Sequence, residues 1–318
     1  MRYELWPKPY RLRSFASPTM RISDDLRRCV VFLGHESGDD GSDFKAAGTA
    51  FFVAYKGHRY LVTAQHVAAG LGDDPFLMRL NREDGGADNV HCDPIEHEMR
   101  WYSNTADPSV DLSVLPVHIA FKANGYDGQL LREEYFDPEA LKRWGIGIGD
   151  VCYTVGLFRL MQGGKRNLPV VHTGYIALMP GDERIPVRDW LGPKGTTNRR
   201  HVEGYLVQTQ NLQGLSGSPV FVRPTFDLEE FPLSEDETTT ARIHHHGVHL
   251  LGVWTGSWDA PAYEIMAVEV GDAVRVPVGF GTVAPAAKLI EILELPAIVA
   301  IRAEFAEKRA AANAAKAD

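Results

Sequence analysis

Short apolar runs alternate with polar, glycine-rich turns along most of this chain. Val30-Val31-Phe32-Leu33 is followed by an acidic stretch, Glu36 to Asp43, and then by Gly48-Thr49-Ala50-Phe51-Phe52-Val53-Ala54 and Tyr60-Leu61-Val62-Thr63. Lys56-Gly57-His58 separates the last two runs. Runs this short, bounded by turn residues, predict β-hairpins rather than helices. Leu77 to Leu80 and Glu98 to Trp101 extend the series as further expected strands. A second series opens at Gly147 and runs through Val151–Val155, Val170–Leu178, Tyr205–Thr209, Val220–Val222, Leu250–Val253 and Val278–Pro285. Helical signals are few. Asp137-Pro138-Glu139 has the form of a helix start, and Ala286 to Leu293 repeats apolar residues at i, i+3 and i+4.

The pattern predicts an all-β protein with four segments. Residues 1–27 are a proline-bearing N-terminal arm, and 28–145 are a first β unit ending in a connector from about residue 118. Residues 146–300 form a second β unit closed by the Ala286–Leu293 helix. Residues 301–318, rich in Ala, Lys and Glu, are a helical extension or a solvated tail.

Composition narrows the class. The chain has 318 residues, 44% of them hydrophobic and 24% charged, which suits an ordinary globular protein with a sizeable core. A formal net charge of -9 argues against general nucleic-acid binding, which needs a basic face. No stretch approaches the roughly 20 apolar residues of a membrane span. Residues 1–20 lack the apolar core of a signal peptide, so a soluble, cytoplasmic protein is expected. Cys29, Cys92 and Cys152 are few, odd in number and widely spaced, so they are read as free thiols.

Candidate chemistry centres on Gln213-Gly214-Leu215-Ser216-Gly217-Ser218-Pro219. A serine between glycines, entering an apolar run, can project its hydroxyl from a tight turn while nearby N–H groups converge. Upstream, Thr63-Ala64-Gln65-His66 ends an apolar run with a histidine, a suitable base for a hydroxyl nucleophile. Val110-Asp111-Leu112 opens another run with an aspartate. Asp107 is a rival acid, but it precedes Pro108 in a loop, and Asp111 is preferred. His244, His245, His246 and His249 invite a metal reading. Adjacent histidines on a strand point to opposite faces, so no metal is expected there. The acidic stretch 227–237 reads as an exposed insertion, and the basic run Lys194 to His201 as a solvated loop beside the cleft.

The order His66, Asp111, Ser216, with Thr-Ala-x-His, Asp-(apolar)-x-x-(apolar) and Gly-x-Ser-Gly-x-Pro, resembles the chymotrypsin-like (trypsin-fold) serine proteases. Gly149-Asp150-Val151, followed by Thr173-Gly174-Tyr175-Ile176, resembles the second barrel of the HtrA-type bacterial, disulfide-free branch. No PDZ-sized segment follows. The resemblance implies two six-stranded antiparallel β-barrels with a C-terminal helix, and a serine endopeptidase working through an acyl-enzyme on a protein or peptide substrate. It implies Ser216 as nucleophile, His66 as general base and acid, and Asp111 as orienting carboxylate. It also implies an oxyanion hole from the Gly214 and Ser216 N–H groups. Gln210 would lie at the base of the primary pocket, with Thr255, Gly256, Ser257, Gly279 and Gly281 as walls. No cofactor is implied. Two departures stand out: Ser218 occupies a position where many relatives have glycine, and Leu215 replaces the aspartate of zymogen-activated relatives. Zymogen-type activation is therefore not expected, and any regulation would run through loop ordering or an activating protein partner. The alternative is a protease-fold scaffold or peptide-binding module, latent or inactive without a partner. The order Ser, acid, His of α/β-hydrolase esterases does not match.

Overall fold

The computed structural model describes residues 22–37, 43–96, 100–161, 163–181, 183–188, 199–209, 214–224, 247–261 and 275–314. Helix α1 (Asp24–Arg28) leads into β1 (Val30–Ser37), β2 (Asp43–Tyr55), β3 (His58–Thr63), β4 (Phe76–Asn81), β5 (Ala87–Cys92) and β6 (Ser113–Pro116). Helix α2 (Gln65–Leu71) lies between β3 and β4. The strands pair in the order β5-β4-β1-β2-β3-β6, and β7 (Leu131–Arg132) joins β2 in parallel to make seven. Lys56 and Gly57 both adopt positive φ, 47° and 78°. That suits the two-residue turns whose twist matches antiparallel strands, and it sets the register Phe51↔Val62.

The two-barrel expectation holds, with this first sheet a partly closed barrel of seven strands rather than six. Its path ends at β5 and β6, and among the described residues the outer side of β6 is met by a single bridge, Tyr102↔Val114. Of the strand expected at Glu98–Trp101, Arg100 and Trp101 lie outside any strand, while Glu98 and Met99 fall outside the described residues. The sheet path ends on β5, Ala-Asp-Asn-Val-His-Cys, which buries only Cys92. Such polarity suits an edge strand, where charged and polar side chains discourage further pairing.

The second unit is a closed barrel in the order β12-β15-β14-β13-β8-β9. Its strands are β8 (Val151–Gly156), β9 (Val170–Leu178), β12 (Tyr205–Gln208), β13 (Pro219–Arg223), β14 (His249–Pro261) and β15 (Arg275–Pro285). A separate hairpin of β10 (Ile185–Arg188) and β11 (Arg199–Val202) interrupts the passage from β9 to β12. Helix α3 (Pro138–Arg143) starts where the sequence places it, with the Asp137 carboxylate accepting from the Glu139 N–H. The expected closing helix is α4 (Ala286–Leu293), and α5 (Pro296–Ala314) carries the chain on. No helix among the described residues is long and apolar enough to cross a membrane.

Strand periodicity decides how the core divides. Successive side chains of a strand point to opposite faces. Ala50 and Phe52 of β2 therefore join Val31, Leu33, Leu61 and Phe76 inside the first sheet. Their neighbours Phe51 and Val53 enter a different cluster with Phe221, Val253 and Leu289. That second cluster fuses the two units, since its members come from both sheets and from α4. A third, built on Val207, Val220, Leu251 and Trp254, fills the barrel.

Candidate active site

Pairing of β3 with β6 sets the first half of the site. Thr63, three residues before His66, lies opposite Ser113, two residues after Asp111, so the paired strand ends bring His66 and Asp111 close. His66 stands in the first turn of α2, whose N-cap residue Ala64 supplies no side-chain cap. The first turn of a helix leaves N–H groups without intrahelical acceptors. Asp111 supplies one: its Oδ1 accepts from the His66 backbone N–H at 3.0 Å, while Oδ2 meets His66 Nδ1 at 2.8 Å. The carboxylate thus holds both backbone and ring. Asp111 is 3% exposed and the His66 side chain 17%. Burial alone would raise the Asp111 carboxyl, but the His66 ring and the Arg200 guanidinium outweigh it and hold the group below the usual carboxylate value. Asp107 is engaged elsewhere, accepting from both the N–H and the hydroxyl of Ser109 and lying 3.9 Å from Lys288 Nζ.

The serine turn is formed by backbone. Gly214 and Gly217 adopt φ of 104° and 87°, values that side chains rarely take. Ser218 N–H donates to the Leu215 carbonyl, and Gly217 N–H donates to the Trp254 carbonyl, each at 2.8 Å. A β-carbon on Gly217 would come within 2.0 Å of the Thr49 carbonyl oxygen, so the turn is pressed against the first sheet. Among the described residues, neither the Gly214 N–H nor the Ser216 N–H donates a hydrogen bond within the protein, and Ser216 Oγ makes none. Ser218 fits because it packs on Gly156, where a β-carbon would lie 1.8 Å from its Oγ.

What joins the two halves is Thr49, a residue whose role sequence reasoning did not single out. Its N–H donates to the Ser216 carbonyl at 3.0 Å. Its hydroxyl donates to the Gly214 carbonyl at 2.8 Å and accepts from the Leu157 N–H at 2.9 Å. Its own carbonyl accepts from the Thr63 hydroxyl at 2.7 Å. Gly48 completes the approach: a β-carbon there would lie 2.8 Å from Val67 and 3.3 Å from the Ser216 carbonyl oxygen. The helix of His66 and the turn of Ser216 therefore meet across Gly48. A Gly-Thr pair at the middle of an apolar strand is the signal that could have marked this position.

The remaining expected site residues divide. Gln210 lies outside the described residues. Gly256 and Ser257 pair with Thr282 and Gly281 across β14 and β15, and the Thr209 N–H donates to the Gly279 carbonyl at 2.9 Å. Thr255, Gly256, Ser257, Gly279 and Gly281 thus lie on neighbouring stretches of the paired strands β14 and β15. Gly281 lies against the Trp254 ring, and the Thr255 hydroxyl is engaged by Thr282 at 3.0 Å.

The basic run read as a solvated loop needs correction. Arg200 lies on β11 with a side chain only 15% exposed, its Nη2 3.3 Å from Asp111 Oδ2. Burial follows from pairing with the carboxylate, a partner that sequence does not reveal. Residues 194–198 of that run, His244 to His246 and the 227–237 stretch lie outside the described residues. His249 stacks on Trp144 at 6.3 Å. Among the described residues no group of three or more His, Cys, Asp or Glu side chains is placed to hold a metal ion.

No protein-family model matches the chain, and no curated protein matches it. Among solved structures it is similar to the Rv3671c protease in an inactive form, at 18% identity and a TM-score of 0.43, covering 85% of this chain and 89% of that one. The active form of the same protease from M. tuberculosis gives 18% identity and a TM-score of 0.42, covering 84% and 80%. Likeness at this level carries no argument about activity.

Proposed function

We propose that the protein is a serine endopeptidase that cleaves protein or peptide substrates through an acyl-enzyme. The observation that carries this reading is the two-point hold of Asp111 on His66, across Gly48 from a glycine-flanked serine turn. A serine hydroxyl is a poor nucleophile near neutral pH and needs a base. In the proposed reaction Ser216 Oγ attacks the scissile carbonyl carbon, and its proton passes to His66 Nε2. Asp111 keeps the other ring proton on Nδ1 and stabilises the imidazolium. The tetrahedral oxyanion is received by the Gly214 and Ser216 N–H groups, each worth about 3 kcal/mol in the transition state. Collapse breaks the C–N bond, and the leaving amine takes the proton from His66. Water, deprotonated by the same histidine, then attacks the acyl carbon and releases the acid and free Ser216.

The proposed primary pocket is walled by Thr255, Gly256, Ser257, Gly279 and Gly281, none of them acidic. Small, apolar or amide side chains suit such walls better than Lys or Arg. Labelling with a fluorophosphonate probe tests the reading. An adduct mapped to Ser216, and lost in both Ser216→Ala and His66→Ala, is the expected outcome. Labelling elsewhere, or labelling that survives His66→Ala, overturns it.

A further inference from the structure

We infer that Arg200 is a positioning residue that limits the negative charge Asp111 presents to His66, and so sets the pH range over which His66 can accept a proton. This rests on the proposed roles of His66 and Asp111. Arg200 comes from the β10–β11 hairpin, outside the closed barrel, and reaches across to the first sheet. Its Nη2 sits 3.3 Å from Asp111 Oδ2, the same oxygen that meets His66 Nδ1. Its Nη1 donates to the Pro108 carbonyl at 3.0 Å. The guanidinium therefore grips both the carboxylate and the loop that leads into it, a fork geometry that a lysine ammonium does not reproduce.

The placement leaves Arg200 Nε buried with no hydrogen-bond partner among the described residues. A buried N–H left unmatched is unfavourable and calls for an explanation. Contact with Asp111 provides one. An unopposed aspartate would favour the imidazolium strongly, whereas a cation on the same oxygen opposes charging of the ring. With Arg200 present, protonating His66 takes the three groups from net neutral to net positive. Other charged and titratable groups face this cluster. Asp107, next to the Pro108 that Arg200 grips, lies 3.9 Å from Lys288, and Glu203 lies 3.7 Å from Lys288. Arg184 and His201 line, with Arg200 and Gln65, an adjoining cavity of about 450 Å³. Arg200 is the group among these whose cation is in contact with the carboxylate. The consequence is a base that stays unprotonated, and usable, further into the acid range.

The test is a titration of the His66 imidazole by ¹⁵N NMR in the full chain and in Arg200→Gln. Removing one charge a few Å away in a partly buried site is expected to move the midpoint upward by roughly one pH unit. The acid limb of the fluorophosphonate labelling rate should move with it. A midpoint that stays in place or falls in the folded variant overturns the inference, even if labelling slows, because a purely structural arginine would slow labelling without moving the titration. Should Arg200→Gln not fold, Arg200→Met keeps the length of the side chain and serves the same titration. Failure of the protease reading is separable: wild-type protein that never labels at Ser216 would sink that reading, while the imidazole titration would still report on Arg200.

Discussion

Thr49 donates its hydroxyl hydrogen bond to the carbonyl of Gly214 at 2.8 Å, tying the first sheet to the proposed oxyanion turn. Thr49→Val keeps the shape and removes both hydroxyl bonds, leaving the Gly214 carbonyl and the Leu157 N–H unmatched. A loss of about 2–6 kcal/mol in unfolding free energy is expected, at roughly 1–3 kcal/mol for each buried group left unsatisfied. Labelling of Ser216 should slow at least tenfold. Thr49→Ser, which keeps the hydroxyl, should recover most of both. Urea unfolding and labelling kinetics on the three proteins check this.

Gly217→Ala is expected to be more damaging. The new methyl would meet the Thr49 carbonyl oxygen at 2.0 Å while the backbone holds φ at 87°. The turn must then leave the first sheet. Labelling should disappear while circular dichroism still reports a β-rich fold; labelling at the wild-type rate would contradict the described geometry.

Asp111→Asn separates charge from shape. Labelling at Ser216 should fall by roughly four orders of magnitude, the size of loss an orienting aspartate's amide substitution gives in serine endopeptidases. Stability should change its pH dependence as well. The folded carboxyl is held below its unfolded value, so its contribution is fully present above about pH 4 and is lost as pH falls through the lower folded value. Denaturant midpoints measured from pH 6 down to 2 should show a steeper acid decline in the wild type than in Asp111→Asn.

Thiol reactivity offers a check independent of the site. Cys29, Cys92 and Cys152 are free and buried. Burial pushes each thiol up to about 12, so almost no thiolate exists at pH 8. Disulfide exchange with Ellman's reagent should detect essentially no thiol in the native protein and all three after denaturation.

Arg302 anchors α5. Its side chain is buried, donating to the Leu293 carbonyl at 2.5 Å and pairing with Glu294 at 3.1 Å. Arg302→Met should lower stability by about 2 kcal/mol, with the buried carbonyl left unmatched. Limited proteolysis should then cut within 296–314 before any other described element.

Strands with two apolar faces, such as β2 and β13, announced themselves in the sequence because burial on both sides demands unbroken runs. The α4 helix was legible for the opposite reason: one buried stripe leaves a period of 3.6. Strand β5 was not, since an edge strand with one shielded residue has no hydrophobic signature. His66, Asp111 and Ser216 were visible as local patterns. Arg200 and Thr49 were not visible as parts of the site, because their meaning comes from partners 89 and 165 positions away. Local pattern carries element type; it does not carry which loop a buried charge will reach.

The closed barrel is completed between β12 and β15, with Tyr205 opposite Val283. Pairings so distant form late, after the entropy of closing a long loop has been met. The Ser216 turn lies inside that interval and takes its shape from Trp254 within the barrel and Thr49 outside it. Synthesis delivers Thr49 early and Val283 near the end. A chain emerging from the ribosome thus carries His66 and Asp111 long before the Ser216 turn has its shape.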